Sequence, residues 1–215
     1  MVTSGSSLSS RLSAPLGAVY LSLMFAGCVR DPLDIDCAAL TAGDLVITEL
    51  RGPQAEASSY RQWIEVYNAS DEPVQLAGLR LVFTKTDGDT NSFFVRDQLD
   101  LAAGAYATLG GGDPGEFPYI DYDYTVDFHS PSDPDRPTDL TGSAALALET
   151  CGVVVDTIRY TLPESGTLAL DGAAAPDAAA NDDTTKAGWC NDTREGPDTE
   201  IGLPGSPQEA NPPCA

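Results

Sequence analysis

The sequence is poor in the residues on which most metal-binding and nucleic-acid-binding proteins depend. It has one histidine, His129, and 11 lysines and arginines against 33 aspartates and glutamates, which gives a formal net charge of −22 over 215 residues. A negative field of this size repels phosphate backbones, so we expect no nucleic-acid partner. None of the five cysteines is spaced as CxxC, which with a single histidine argues against a structural zinc site.

Recognisable catalytic motifs are also missing. The sequence has no GxSxG elbow, no Walker motif and no HExxH. Gly110–Gly115 fits GxGxxG, but Pro114 and the residues after it provide no helix to receive a pyrophosphate. We interpret His129 as a solvated loop residue rather than a general base. With 33 acidic side chains, carboxylate pairs occur by chance. A hydrolase that uses such a pair is therefore the least favoured alternative, and we predict that the protein is not an enzyme.

The first 28 residues differ from the rest. Leu12–Ala26 is an apolar run, shorter than the roughly 20 residues of a membrane-spanning helix and suited to the core of a signal peptide. The run leads into Met-Phe-Ala-Gly-Cys at 24–28, which resembles the bacterial lipobox, where a cysteine after small residues is lipidated and becomes the first residue. Phe25 stands where leucine is usual. We predict a lipoprotein signal peptide at 1–27 and a lipid on Cys28. The alternative is an ordinary signal peptide cleaved elsewhere, which leaves Cys28 as a spare thiol.

Cysteine parity favours the lipoprotein alternative. Without Cys28, an even set of four remains, as expected for disulfides in an oxidising compartment: Cys37, Cys151, Cys190 and Cys214. Four cysteines allow three pairings. We favour Cys190–Cys214, which would staple the loop-rich C-terminal segment, and this leaves Cys37–Cys151.

The residues after Cys28 suggest a destination. Residues 28–43 are predicted to form a polar tether. Val29 rather than aspartate follows Cys28, which by analogy with the better-known sorting rule favours the outer membrane over the inner membrane. We therefore expect an exported protein of the bacterial cell envelope whose lipid anchor contacts the membrane.

From Asp44 onward the sequence has the period of β-strands. In Leu79–Thr84, the side chains of Leu79, Leu81 and Phe83 would share one face. No long window after Asp44 has a convincing helical period. Short apolar runs separated by turn signals predict an antiparallel sandwich or barrel. The predicted strands are 45–50, 63–68, 74–76, 79–84, 92–95, 106–109, 122–128, 145–149, 153–160 and 168–170.

The C-terminal third is less regular. The low-complexity stretch 172–185 is predicted to be a flexible excursion. The part after Gly188 is rich in proline and glycine, and we predict that it is irregular but pinned by its cysteines.

An ordered series of motifs resembles the lamin tail domain family. It begins with Asp-Leu-Val-Ile-Thr-Glu-Leu and Trp-Ile-Glu-Val-Tyr-Asn, and it ends with Leu-Pro-Gly-Ser-Pro-Gln-Glu-Ala-Asn. The resemblance implies an all-β fold, an immunoglobulin-like antiparallel β-sandwich over 44–211, with 212–215 as a tail; it implies little about activity. The blocks that carry it are 44–50, 63–81, 99–109, 145–160 and 203–211.

We interpret the family-motif residues as structural. Trp63 and Tyr67 would supply bulk for the core, together with the apolar residues between them. Asn68 can hydrogen-bond its own turn, and Gly78 permits a tight bend or a positive φ. For Glu65 we expect a structural role rather than a ligand role. The set is Glu49, Trp63, Glu65, Tyr67, Asn68 and Gly78.

Two acidic clusters could bind calcium. Asp87, Asp89 and Asn91 are spaced as an EF-type loop begins, but that loop would need glycine at its sixth position, and a hairpin turn is the preferred interpretation. A second cluster would lie on one side of an extended strand, with tyrosines on the other side: Asp121, Asp123 and Asp127. A solvated acidic face is the preferred interpretation there. No cofactor is expected, with calcium as the alternative.

These observations predict a non-enzymatic, lipid-anchored envelope or surface module that binds or scaffolds, by adhesion, matrix attachment or attachment of a protein partner. Its envelope protein or polysaccharide partner is not identified by the sequence. The alternative is a calcium-dependent carbohydrate-binding module.

Overall fold

The computed structural model describes residues 37–54, 61–126, 128–130, 133–137, 139–182, 184, 188–194 and 205–215. The predicted signal peptide, Cys28, most of the tether and Asp127 lie outside the described residues. No helix in the described ranges is long and apolar enough to cross a membrane.

The described elements are short strands and one 3₁₀ helix, Tyr124–Val126. The strands are β1 Leu45–Arg51, β2 Trp63–Asn68, β3 Val74–Gln75, β4 Arg80–Lys85, β5 Thr90–Phe94, β6 Asp100–Leu101, β7 Tyr106–Gly110, β8 Tyr122–Asp123, β9 His129–Ser130, β10 Asp133–Pro137, β11 Ser143–Thr150, β12 Val153–Thr161, β13 Thr167–Leu170 and β14 Trp189–Asp192.

Two larger sheets share one hydrophobic core. One has the strand order β14-β13-β1-β2-β7-β8 and the other β12-β11-β4-β5, while β3–β6 and β9–β10 form small separate ladders. Every described pairing is antiparallel except the short parallel contact of β7 with β8. The predicted all-β immunoglobulin-like sandwich is therefore confirmed.

Alternation along the strands builds the core. Leu81 and Phe83 of β4 lie opposite Leu148 and Leu146 of β11, and all four side chains are buried. Leu79 is buried as well, so the predicted shared face is confirmed. Antiparallel strands with one apolar face pack in this way because successive side chains point to opposite sides.

Strand β1 is buried along its whole length and contains a β-bulge between Ile47 and Glu49. The bulge removes backbone groups from the ladder, and side chains distant in the chain satisfy them. Asp156 Oδ2 accepts a hydrogen bond from Ile47 N at 2.7 Å, and Asn181 Nδ2 donates to Ile47 O at 3.0 Å. Asn211 Nδ2 donates to Thr48 O at 2.9 Å.

Both favoured disulfides are present. Cys37–Cys151 joins residues 37–44 before β1, which we name the N-terminal lead, to the β11–β12 turn. Cys190–Cys214 joins β14 to the C-terminal end. The Thr150 hydroxyl also donates to Ala38 O at 2.9 Å, so the lead is held against the turn by two contacts.

Several predictions about local structure were wrong. His129, predicted to lie in a loop, belongs to strand β9. Trp189–Asp192 is a strand paired with β13 rather than irregular chain. The low-complexity stretch is fixed at Asn181, which is fully buried because its amide holds the bulge. The predicted strand 122–128 ends at Asp123, where the 3₁₀ helix begins.

The 3₁₀ helix has a packing reason. Tyr124 and Phe128 are both buried, and Phe128 N donates to Tyr124 O at 2.9 Å. Residues four apart share one side of a helical turn, so both rings reach the core beside Phe93, at centroid distances of 5.0 and 5.3 Å.

Removing either disulfide is expected to lower the free energy of unfolding, and the longer loop should cost more. The cysteines of Cys37–Cys151 are 114 residues apart and those of Cys190–Cys214 are 24 apart. Loop-closure entropy then gives losses of about 5 and about 3.5 kcal/mol for the two double cysteine-to-serine variants. Urea unfolding checks this. A larger loss for the Cys190/Cys214 variant would contradict the loop-closure explanation.

Asp156→Ala is expected to destabilise the fold by roughly 3 kcal/mol, because it leaves Ile47 N buried without its acceptor. Asp177→Ala is the control, since Asp177 is exposed and bonds only within its own turn. Thermal unfolding of both variants tests the role of Asp156, and equal stabilities would refute it.

Candidate binding site on the outer face of the larger sheet

The centre of the outer face of the six-stranded sheet is polar and is covered by residues 205–211, which we name the C-terminal strap. Glu49 of β1 and Glu65 of β2 are cross-strand partners, and both side chains are fully buried. Two buried carboxyl groups side by side need hydrogen-bond donors, and the strap supplies two of them.

The strap is fastened through the two glutamates. Glu65 accepts hydrogen bonds from the Thr48 hydroxyl at 2.8 Å and from Gln208 N at 2.7 Å. Glu49 accepts from Ser206 N, which lies 3.3 and 3.2 Å from its two carboxylate oxygens. The pair therefore holds the strap in place, which agrees with the structural role expected for Glu65.

Close approach of the strap requires glycine at Gly205. Its φ is +107°, and a Cβ there would lie 2.4 Å from Glu49 Oε1. Asn211 ends the strap by donating to Thr48 O and accepting from the Ser206 hydroxyl at 3.2 Å. These contacts give a physical reason for the glycine and the asparagine of the closing sequence motif at 203–211.

Burial has the largest effect on the pKa values of Glu49 and Glu65. Burial raises the pKa of Glu49 from 4.5 to about 7, while the side chain of Thr167 in β13 and the backbone amide of Ser206 in the strap lower it. Burial, and then the neighbouring Glu49, raises the pKa of Glu65 well above its ordinary value. The fold is therefore more stable when the carboxyl groups of Glu49 and Glu65 are protonated, because a charged carboxylate pair in this position is poorly solvated.

An open cleft lies beside the strap, on the same face of the sheet. Its floor is the cross-strand pair Tyr67 and Tyr106, whose ring centroids are 4.8 Å apart at an interplanar angle of 46°. Residues 171–176 form the opposite wall, and Ala210 and Asn211 close one side. The enclosed volume is about 480 Å³. We name it the tyrosine cleft.

The predicted calcium ligands do not converge. Asp87 and Asp89 lie in the β4–β5 turn, where Asp87 Oδ1 accepts from Asp89 N at 3.0 Å, so the hairpin-turn interpretation is confirmed. Asn91 lies in β5 itself. No group of three or more histidine, cysteine, aspartate or glutamate residues that could hold a metal ion is found within the described ranges.

The second acidic cluster is divided as well, which corrects its predicted placement on one side of a strand. Asp121 faces the strap, accepting from Gln208 Nε2 at 2.8 Å and from Thr108 N at 2.7 Å. Asp123 accepts from the amide and the hydroxyl of Thr125 at the start of the 3₁₀ helix. The tyrosines predicted opposite them, Tyr122 in β8 and Tyr124 in the 3₁₀ helix, are both buried in the core.

Of the remaining family-motif residues, Asn68 and Gly78 behave as predicted, whereas the prediction that Trp63 and Tyr67 fill the main core was wrong. Asn68 Oδ1 accepts from Ser70 N at 3.0 Å, and Gly78 has φ +88°, so both predictions are confirmed. Trp63 is buried, but it lies in a separate outer cluster, where it packs against Tyr119. Tyr67 is only half-buried, because its strand position points it to the outer face.

Sequence reasoning missed the partners of these residues. Tyr106, Asp171, Ser206 and Asn211 become part of one site only through pairing of distant segments. The period-two pattern places Tyr106 on the face opposite Ala107, but no local signal shows that this face is covered.

The titration of Glu49 should be visible in the pH dependence of the free energy of unfolding. The folded-state pKa of about 7 exceeds 4.5, so the folded state binds the proton more tightly than the unfolded chain. This contribution is complete below pH 4.5 and is lost as the pH rises to about 7, by roughly 3 kcal/mol. We expect the free energy of unfolding of Glu49→Gln to decrease less over this pH range than that of the wild type.

The matched control is Glu164→Gln, which changes an exposed glutamate after β12. Urea unfolding between pH 4 and 8, in roughly half-unit steps, gives the profiles. A Glu49→Gln profile parallel to that of the wild type would contradict the assignment to Glu49.

Comparison with known proteins agrees with this architecture. The model of the family described as Lamin Tail Domain matches residues 38–162, more than half of the 215 residues. No curated protein matches the chain. The family consists of immunoglobulin-like, non-enzymatic domains, which suggests a binding or scaffolding role. The matched segment includes the paired strands β1, β2 and β7 that carry Glu49, Glu65 and both tyrosines of the cleft, and the chain belongs to the lamin tail domain family.

Proposed function

We propose that the protein is an exported module that a lipid on Cys28 anchors to the bacterial outer membrane, where it binds or scaffolds a partner without catalysis. Membership of the lamin tail domain family supports the binding or scaffolding part. The partner is an envelope protein or a polysaccharide.

The observation that carries the proposal is the use of the cysteines. Two disulfides account for all four cysteines after Cys28. One cysteine is left, and it stands at the end of the apolar N-terminal run, after Ala26-Gly27. Lipidation gives this residue a chemical role and leaves no unpaired thiol in an oxidising compartment.

The Cys37–Cys151 disulfide gives the anchor a mechanical consequence. It attaches Cys37 to Cys151 in the β11–β12 turn, and Cys37 lies nine residues after Cys28 in the chain. An extended chain of that length spans at most about 30 Å. The lipid would therefore hold the sandwich close to the membrane surface, so that partners are found in the envelope.

The buried carboxylates support a non-catalytic role. Raised carboxyl pKa values often mark a general acid, and Glu49 and Glu65 have them. Both side chains are fully buried beneath the strap, and their donors are residues of the fold itself. A group in this position stabilises the strap and has no contact with a substrate in solution.

Intact-mass spectrometry tests the proposal on protein isolated from native membranes. We expect the N-terminal peptide to begin at Cys28 with a lipid-sized mass increment, and reduction to add about 4 Da for the two disulfides. The Cys28→Ala variant is the control, and it should lose the increment and leave the membrane fraction.

A soluble product cleaved at another position would refute the lipid anchor. Free thiols at Cys37 and Cys151 before reduction would remove the parity argument on which the proposal rests.

A further inference from the structure

The two tyrosines of the cleft have polar groups that the fold does not use. Neither phenol oxygen has a hydrogen-bond partner among the described residues, and both rings are only half-buried. Burial, followed by the neighbouring Glu65 and Tyr67, raises the pKa of Tyr106 to about 12, so its hydroxyl remains protonated. The floor of the cleft therefore presents aromatic faces with hydroxyl donors at their edges.

The opposite wall adds an acceptor. Asp171 uses Oδ1 to accept hydrogen bonds from Cys214 N at 2.9 Å and Ala173 N at 3.1 Å. Its Oδ2 atom has no partner among the described residues. Residues 173–175 are alanines, so their small side chains leave room for a ligand above the tyrosines.

The cleft is preformed, because the wall is attached to the C-terminal segment. Gly172 N donates to Pro212 O, and the Cys190–Cys214 disulfide anchors the segment that follows. A Cβ at Gly172 would lie 1.5 Å from Asn211 O, so only glycine permits this contact. A wall fixed in advance reduces the conformational entropy that a ligand must overcome.

Three features select the class of ligand. With their centroids 4.8 Å apart, the rings contact each other, so a ligand stacks on the pair and does not enter between them. Asp171 and the phenols suit a ligand rich in hydroxyl groups. The net charge of −22 and the carboxylate in the wall disfavour an anionic ligand.

We infer that the tyrosine cleft binds a neutral saccharide, whose C–H face stacks on Tyr67 and Tyr106 while its hydroxyl groups bond to Asp171 Oδ2 and the phenols. The volume of about 480 Å³ lies within the usual range for small-molecule sites. Binding needs no calcium. The inference deepens the proposed binding function by naming a ligand class, but it does not depend on the lipid anchor.

Calorimetric titration of the full-length lipidated protein in detergent and EDTA tests the inference. The probes are maltose, cellobiose, lactose and N,N′-diacetylchitobiose, with digalacturonate as the anionic comparison. We expect at least one neutral disaccharide to bind, with a dissociation constant on the order of 1 mM, and digalacturonate to bind at least about tenfold more weakly.

Variants locate the site. Tyr106→Ala should weaken binding at least about tenfold, and Tyr106→Phe, which keeps the ring, by a smaller factor. Phe117→Ala is the control, because Phe117 is a partly buried aromatic residue that belongs to the separate Trp63 cluster. Asp171→Asn should raise the affinity for digalacturonate relative to the neutral probe. Thermal unfolding confirms that each variant folds.

Several results would overturn the inference. They are no binding by any neutral probe in EDTA, binding that is unchanged in Tyr106→Ala, or binding that appears only in a repeat titration in which calcium replaces EDTA. Tetramethylammonium and hexaproline are included as further probes, and binding of either one without any saccharide would assign the cleft to another ligand class. The Cys28→Ala variant should bind like the lipidated protein, so failure of the anchor and failure of the cleft remain distinguishable.

Discussion

The bulge in β1 is the constraint on which the rest of the structure depends. Strand β1 lies inside the larger sheet, buried on both faces, so backbone groups that leave the ladder at Ile47 and Thr48 have no access to water. Asp156, Asn181 and Asn211 satisfy these groups. One irregularity therefore decides where β12, the alanine-rich segment and the C-terminal strap must lie.

The polar layer under the strap extends this constraint to the outer face. Glu49 follows the bulge and lies beside Glu65, and their carboxyl groups find donors in Ser206 and Gln208. An antiparallel sheet commonly leaves one face to solvent. Here the strap covers that face at its centre, and the half-buried Tyr67 and Tyr106 lie in the open cleft at its edge. The covered part stabilises the fold, and the cleft is the part for which we propose a ligand.

The segment that matches the family and the residues that complete the strap and the cleft come from different parts of the chain. The family match covers residues 38–162, whereas Gln208, Asn211 and the wall of the cleft come from later in the chain. One disulfide holds the N-terminal lead and the other holds the C-terminal segment. The cleft proposed as a saccharide site therefore depends on residues that follow the matched segment in the chain.

The sequence by itself determined the fold class and most of the strands, and it favoured the observed pairing of the cysteines among three possible ones. Period-two alternation in segments such as Leu79–Thr84 is a local signal, and few cysteines leave few pairings. Only the tertiary structure decided that Asp121 faces the strap, that the chain turns helical at Tyr124, and that Asn181 is buried. Each of these depends on a contact with a distant segment: Asn181 bonds to a residue 134 positions away, Asp121 bonds to one 87 positions away, and Tyr124 packs against Phe93. No local pattern encodes such a separation, because the free energy that fixes it comes from satisfying buried polar groups across the folded chain.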